Sequence, residues 1–254
     1  QTATHLSPAE FHAKLEAHDP SRVVLLDVRN TYEYQLGHFA NAVDPGTRKY
    51  SEFEDWFRSE GAPLAAGKDA VLMYCTGGIR CERASIAVRQ ILAEQAGTDT
   101  QDRIPPVFQL KGGIHRYLEE FRPKESKFLG RNFVFDKRIV QPLPRAEDEI
   151  DVVPVGTCHY CQKQWEMVCE DRRCSKCRML VLVCDSCTDD DRGIFCAKHE
   201  LLDTRKATRA NIESKRDELL GRLHNLTGRK NNRRRQNILK QAAELEATLL
   251  ALGN

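Results

Sequence analysis

The stretch Tyr74–Ser85, which reads YCTGGIRCERAS, contains two cysteines with two glycines between them, and Arg80 directly precedes the second cysteine. Cys75 follows an apolar run typical of a buried strand, and the residues after the glycines are typical of a helix. Amides of such a loop can surround the sulfur, while the helix dipole and Arg80 add positive charge. These groups stabilise the thiolate that a nucleophilic cysteine needs. We therefore expect a catalytic site at Cys75, Arg80 and Cys81. The loop residues between them are Thr76, Gly77, Gly78 and Ile79.

The position of the arginine limits what this loop can hold. In phosphatase loops of similar design the arginine stands one place further from the cysteine, which leaves room for a tetrahedral oxyanion. Here that place is taken by Cys81. The shorter loop fits a terminal sulfur or oxygen on Cys75 better than a phosphate. Two interpretations of Cys81 stay open, a resolving thiol that forms a disulfide with Cys75 and a buried helical residue.

The remaining cysteines lie between Cys158 and Cys196, mostly in pairs with C-x-x-C spacing. This spacing turns the chain so that both sulfurs meet one tetrahedral ion. Four such pairs, the last formed by a cysteine and a histidine, predict two zinc ions. Because every position is filled by a protein ligand, both ions are structural. The predicted ligands are Cys158, Cys161, Cys174, Cys177, Cys184, Cys187, Cys196 and His199. Cys169 is left over.

The short run RMLVLV between the two middle pairs is typical of a strand that carries the chain from one metal site to the other. It favours a cross-brace, in which the first pair shares an ion with the third and the second with the fourth. Sequential pairing stays open. A module of this size lacks a sufficient apolar core, so we expect metal binding to supply its folding energy.

The first half of the chain alternates strand and helix patterns. We predict strands in RVVLLDVR, AVLMYC and PPVFQL, and helices in SPAEFHAKLEAH, SEFEDWFRSE, ERASIAVRQILAEQ and IHRYLEEF. Such alternation predicts an α/β fold, a parallel sheet with helices on both faces. Asp27, Cys75 and the Lys111-Gly112-Gly113 turn then lie at the carboxyl ends of strands, where reactive groups of such sheets gather.

We divide the chain into four segments. Residues 1–125 form the α/β domain, 126–152 an extended linker, 153–200 the cysteine-rich module and 201–254 a basic, amphipathic helical tail. From Asp203 onward there are twelve Lys and Arg against six Asp and Glu. The densest basic cluster comprises Arg229, Lys230, Arg233, Arg234 and Arg235. It is either a solvated face or a contact for RNA phosphates, and no aromatic residue is interleaved to stack on bases.

Composition excludes some classes of protein. No apolar run approaches the roughly 20 residues that cross a bilayer, so we expect no membrane association. The clustered cysteines indicate metal binding in a reducing compartment, cytoplasm or organellar matrix. DNA is not an expected partner. The chain begins at Gln1 without an initiator methionine, so we expect it to start within a longer sequence, and no targeting segment can be read from it.

Three stretches, DVRNTYEYQLGHFANAVDPGT, YCTGGIRCERAS and FQLKGGIHRYL, resemble the rhodanese (sulfurtransferase) domain over about the first 125 residues. The sequences CTGGIRCE and, later, GRNFVFDKR resemble those of the rhodanese-like tRNA uridine hydroxylases. They also resemble those of the eukaryotic relatives, the thiosulfate sulfurtransferase/rhodanese-like domain-containing proteins. Bacterial members use oxygen to hydroxylate the wobble uridine of tRNA at C5 and carry a C-terminal cysteine-rich region. They also have a small N-terminal domain that this sequence does not contain.

The resemblance implies functions for individual residues. Cys75 matches the essential cysteine of the family and Cys81 its second cysteine. Asp27 and Arg29 match a DxR motif that braces the loop, and the stretch from Glu33 to His38 matches E-x-x-x-G-H.

Three functions remain open on the sequence. The leading hypothesis is an enzyme that hydroxylates a tRNA uridine at C5 through Cys75. The alternatives are sulfur transfer from thiosulfate or another donor, and a non-catalytic protein of RNA-protein assemblies that docks through its zinc module and helical tail.

Overall fold

A computed structural model of the chain describes residues 2–95, 104–121, 124–134, 155–188, 193–204, 206–224 and 232–252. The chain folds into two compact units, one formed by residues 1–158 and 162–169, the other by residues 159–161 and 170–254. Most of the predicted linker, residues 135–152, lies outside the described residues, as do Arg229 and Lys230. Among the residues described, no helix is long and apolar enough to cross a membrane.

The first unit is built around a sheet of four parallel strands. These are β1 (Thr4–Leu6), β2 (Val23–Asp27), β4 (Ala70–Tyr74) and β5 (Val107–Leu110), in the spatial order β1-β5-β4-β2. The last three confirm the strands predicted from apolar runs. The small strand β1 was not predicted. A separate antiparallel pair joins β3 (Gly37–Phe39) to β6 (Phe128–Gly130).

Helices lie on both faces of this sheet, as predicted. They are α1 (Pro8–Ala17), α2 (Thr31–Leu36), α3 (Phe53–Trp56), α4 (Ala62–Ala65), α5 (Ile79–Gln95) and α6 (Gly113–Glu120). Helix α1 begins where Ser7 and Glu10 form a capping box, which satisfies free N–H groups of its first turn. The helical structure predicted for SEFEDWFRSE is confirmed, although Tyr50–Ala65 is a succession of short helical segments of different width.

Alternation along the strands divides the apolar core into two layers. Leu26 and Met73 pack with residues of α3, α4 and α5 on one face of the sheet. Leu25 and Tyr74 pack with residues of α1 and α6 on the other. Both layers are made of side chains withdrawn from water, so the strand ends that carry Asp27 and Cys75 stand on a rigid base.

A buried ion pair stands at the carboxyl end of β2. Arg29 donates to both carboxylate oxygens of Asp27, the shortest contact being 2.5 Å, and to the carbonyl of Gly37 at 2.6 Å. Both side chains are fully buried. Aromatic rings of Tyr74 and Phe128 lie 5.6 and 5.8 Å from the guanidinium carbon. The pair therefore joins β2 to β3 inside the protein, consistent with a bracing role.

The second unit contains most of the cysteine-rich segment and the helical tail. Its helices are α7 (Asp185–Thr188), α8 (Arg209–His224) and α9 (Asn232–Leu252), with a 3-10 helix at Ala197–Leu202. Apolar side chains of α8 and α9 pack together, including Ile212 and Leu245, so the predicted helical tail contains two packed helices. The strand predicted for RMLVLV is wrong. Residues 178–183 are largely buried but make only a single bridge, between Arg173 and Leu180.

The Asp27–Arg29 pair gives a prediction about stability. Replacing Arg29 by Met leaves the Asp27 carboxylate buried without its counterion, which we expect to lower the free energy of unfolding by about 3–5 kcal/mol. Urea denaturation at neutral pH measures the change. The exposed Arg22–Asp69 pair is the matched control, and Arg22→Met should change stability little. Equal effects of the two substitutions would contradict a bracing role for the buried pair.

Candidate active site and metal centres

Cys75 is the first residue after β4, and α5 begins four residues later. Between them the chain turns at Gly78, whose φ of +90° is in the region that favours glycine. This turn brings the N–H of Gly78 to 3.1 Å from the Cys75 sulfur. The N–H groups of Arg80 and Cys81 also donate to that sulfur. The loop therefore presents several amide donors to one sulfur atom, as its glycines predict.

The start of α6 lies directly against this loop. The N–H of Ile114 donates to the Cys75 carbonyl and that of His115 to the Thr76 carbonyl, both at 3.0 Å. Gly113, with φ +65°, permits this approach because a Cβ there would lie only 2.5 Å from the Cys75 carbonyl oxygen. The sequence places the Gly112-Gly113 turn at the correct edge of the sheet, but gives no indication of this contact.

Cys75 and Cys81 have opposite electrostatic environments. The pKa of Cys75 is lowered to about 6, chiefly because the Cys81 side chain donates a hydrogen bond to it, and further by the charge of Arg80. Burial raises the pKa of Cys81 well above its usual value, and the charge on Cys75 adds to this. At neutral pH the pair is therefore a thiolate that accepts a hydrogen bond from a neutral thiol. No disulfide joins them.

The guanidinium of Arg80 is bound by other side chains of the protein. It donates to both carboxylate oxygens of Glu33 at 2.7 and 2.8 Å, and to the Thr76 hydroxyl at 2.8 Å. Glu33 is fully buried. Arg80 therefore braces the loop through Glu33 and Thr76. Its charge still favours the Cys75 thiolate from a distance.

A cavity of about 350 Å³ opens beside Cys75, and its lining is mostly apolar. The lining residues are Asn30, Tyr50, Cys75, Thr76, Gly77, Ile79 and Arg80. Sequence reasoning missed Tyr50 and Asn30. Asn30 lies three residues after the end of β2, so its place at the same edge was a usable signal, whereas nothing in the sequence marks Tyr50. Asp27 and Arg29 do not line the cavity.

The predicted metal ligands assemble into two groups of four. One contains Cys158, Cys161, Cys184 and Cys187, and the other Cys174, Cys177, Cys196 and His199. This is the cross-brace that the sequence favours. Within the groups, sulfurs of Cys161 and Cys184 are 3.6 Å apart and those of Cys177 and Cys196 are 3.8 Å apart. A tetrahedral ion with metal–sulfur bonds of about 2.3 Å requires ligand separations of about 3.8 Å, so both groups can bind a metal ion.

The basic cluster of the tail is described in part. Arg234 and Arg235 are exposed on the first turns of α9, while the side chain of Arg233 lies outside the described residues. The structure therefore places two members of the cluster on a solvent-facing helix.

Comparison with known proteins agrees with this architecture. A family model described as rhodanese-like domain matches residues 7–120, and one described as rhodanase C-terminal matches residues 129–199. The chain therefore contains a rhodanese-like domain followed by a rhodanase C-terminal region. The resemblance read from the sequence is confirmed, and the second match contains both four-ligand groups.

Two relatives of this rhodanese-like chain carry informative names. "Rhodanese-like domain-containing protein 6" of Arabidopsis thaliana is 42% identical over 72% of this chain and 30% of its own length. "tRNA uridine(34) hydroxylase" of Chlamydia pneumoniae is 35% identical over 75% of this chain and 53% of its own length. The chain thus spans a third to half of the length of these relatives.

The hydrogen bond between the two thiols in the rhodanese-like domain predicts a pH dependence. The thiolate exists above the pKa of Cys75, so alkylation of Cys75 by iodoacetamide should reach half its maximal rate near pH 6. Replacing Cys81 by Ala removes the main stabilising donor and should move this midpoint upward. Peptide mass spectrometry of the Cys75 peptide measures the rate. Cys169→Ala is the control, and a midpoint unmoved by Cys81→Ala would contradict the argument.

Proposed function

We propose that this chain is an RNA-modifying enzyme in which the thiolate of Cys75 acts on a uridine base of tRNA, leading to hydroxylation at C5. Molecular oxygen is the oxidant: one oxygen atom enters the base, and the other leaves as water with two electrons and two protons from an external reductant. One observation carries the proposal. Cys75, whose thiol has its pKa lowered to about 6, lines a mostly apolar cavity. The names of the Chlamydia relatives, tRNA uridine(34) hydroxylase, agree with it.

The chemistry of the cavity wall distinguishes a base from a small anion. Among the described residues that line it, Arg80 is the one cation, and its guanidinium is held by Glu33 and Thr76. An oxyanion such as thiosulfate would lose its hydration there without gaining a charged partner, which is unfavourable. A neutral, flat base loses less on entering an apolar site. The cavity therefore favours a nucleobase over an anionic sulfur donor.

Each loop residue has a defined function in this proposal. Cys75 supplies the reactive sulfur and Cys81 the thiol that holds it as a thiolate. Arg80 positions the loop through Glu33, while Asp27 and Arg29 fix the end of β2 behind it. Gly78 and Gly113 allow the amides and α6 to approach. In this arrangement the Cys75 thiolate is stabilised next to the bound base.

Sulfur transfer is the second candidate, and one observation favours it. The N–H groups that donate to the Cys75 sulfur, those of Gly78, Arg80 and Cys81, would equally stabilise a terminal sulfur on that residue. A rhodanese-type persulfide would be held by the same donors. The two candidates differ in what enters the cavity, and separate assays distinguish them.

Two further parts of the proposal concern the helical tail, which would supply affinity for RNA, and the two groups of soft ligands, which indicate the identity of the metal. Exposed Arg234 and Arg235 suit salt-sensitive contacts with phosphates. Cysteine sulfurs with one imidazole, in tetrahedral groups without an open position, are typical of structural zinc. All ten cysteines are free, which is consistent with a reducing compartment such as the cytoplasm or an organellar matrix.

Replacing Cys75 by Ala tests the proposed reaction. We expect 5-hydroxyuridine-derived nucleosides to disappear from total tRNA of cells that carry this variant as their only copy, as measured by mass spectrometry of nucleosides. Cys169→Ala is the matched control and should leave them unchanged. If the nucleosides persist, hydroxylation by this residue is excluded. Thiosulfate-to-cyanide sulfur transfer that depends on Cys75 would then identify the second candidate.

The metal proposal predicts a stoichiometry. The purified full chain should contain two zinc ions, and Cys174→Ser should remove one of them, as elemental analysis measures per mole of protein. Cys169→Ser is the control, because Cys169 belongs to neither group, and it should keep both ions. Loss of zinc with the control, or a full complement in Cys174→Ser, would contradict the ligand assignment.

A further inference from the structure

Ile79 is an unusual neighbour for a reactive sulfur. Its side chain is 82% exposed, more than any other large apolar side chain of the described residues, and it lines the cavity beside Cys75. A single exposed isoleucine is ordinary on a protein surface. Here it stands at the mouth of a mostly apolar cavity, where burial against a ligand would remove it from water. The position therefore indicates a contact with whatever enters the cavity.

Tyr50 forms a second wall of the same cavity. It is half-buried and packs against the apolar core layer of α3–α5, which fixes the position of its ring. The guanidinium of Arg83 lies 5.7 Å from the ring centroid and holds it from the outside. Burial raises the pKa of the Tyr50 phenol, the charge of Arg83 lowers it, and Tyr50 shares the cavity lining with Cys75. The cavity thus has a positioned aromatic ring beside the reactive atom.

Asn30 adds a polar group to these walls. It precedes α2, and its backbone N–H donates to Glu33 at 3.0 Å, so its place is fixed by the same carboxylate that holds Arg80. Its side-chain amide lies 3.5 Å from the Tyr32 hydroxyl. A side-chain amide offers a donor and an acceptor side by side. That arrangement is complementary to the edge of uracil, where an imide N–H stands next to a carbonyl oxygen.

We propose that the cavity beside Cys75 binds a single unstacked uracil base, with Tyr50 and Ile79 contacting its faces and Asn30 reading its polar edge. This inference rests on the proposed function. It assigns base specificity to Tyr50 and Asn30, which lie outside the CTGGIRC loop motif, and to Ile79 within that motif. Sequence-specific recognition of RNA usually targets bases of single-stranded loops, which stack on aromatic side chains and are read along their edges. The cavity offers both kinds of contact.

Two RNA stem-loops that differ at one loop position, uridine in one and an abasic sugar in the other, test this with the full chain. The wild-type protein should bind the uridine form about tenfold to a hundredfold more tightly, the usual worth of one stacked base. Tyr50→Leu should bind the two forms almost equally, whereas Tyr50→Phe, which keeps the ring, should retain the preference. Trp56→Leu is the matched control, since Trp56 packs on the same core layer but does not line the cavity.

Asn30→Asp is the second variant. Aspartate starts a helix as well as asparagine does, so α2 should form, but a carboxylate repels the uracil carbonyl oxygen. It should reduce the preference for uridine and leave binding of the abasic form nearly unchanged. An iodoacetamide midpoint near pH 6 at Cys75 verifies that the loop is folded in every variant.

Equal binding of the two stem-loops by the wild-type protein, or binding of neither, would overturn this inference, as would a preference that survives both Tyr50→Leu and Asn30→Asp. The proposed function fails separately. If tRNA from the Cys75→Ala strain keeps its hydroxyuridine nucleosides while the wild-type protein prefers the uridine stem-loop, the cavity binds a base but the proposed hydroxylation reaction is wrong. If the nucleosides disappear but no preference exists, base recognition lies elsewhere.

Discussion

The fully buried carboxylate of Glu33 is the contact on which the site depends. It accepts hydrogen bonds from Arg80 through both oxygens, from the Thr76 hydroxyl and from the N–H of Asn30. A charge withdrawn from water is tolerated only when it is paired and hydrogen-bonded. Glu33 therefore fixes the loop after β4 to the start of α2. It also determines the polarity of the cavity, because it occupies the guanidinium that would otherwise attract an anion.

The loop combines this anchor with two close backbone approaches. Gly78 turns with positive φ to aim its N–H at the Cys75 sulfur, and Gly113 lets α6 donate to the loop carbonyls. Neither glycine adds flexibility, because the hydrogen bonds define each conformation. The donors to the sulfur are consequently fixed before any reaction, so stabilising the thiolate requires little rearrangement. Cys81 completes the arrangement, since its burial keeps it neutral and able to donate.

The sequence predicted those parts of the fold and site that local spacing determines. Continuous apolar runs identify the three strands that end in the site, and C-x-x-C spacing identifies the two metal groups. The strand predicted for RMLVLV is wrong because the metal ligands on each side hold this apolar run, and a strand ladder is not needed. Tyr50 and Asn30 were missed because tertiary packing, rather than a motif, brings them to Cys75. Glu33 was recognised through family resemblance alone, as its partner Arg80 is far away in sequence.

Under the proposed function, a cavity whose arginine is held by Glu33 has a consequence for RNA recognition. One stacked base contributes selectivity, but affinity for nucleic acid comes mainly from neutralised phosphates. The two requirements need different surfaces, since a strong positive charge within the cavity would attract phosphates in place of a base. In this chain the charge of Arg80 is held by Glu33, while exposed arginines such as Arg234 and Arg235 lie on α9. Under the proposed function, base selection and phosphate attraction are therefore assigned to separate residues, so that salt should weaken RNA binding without changing which base is chosen.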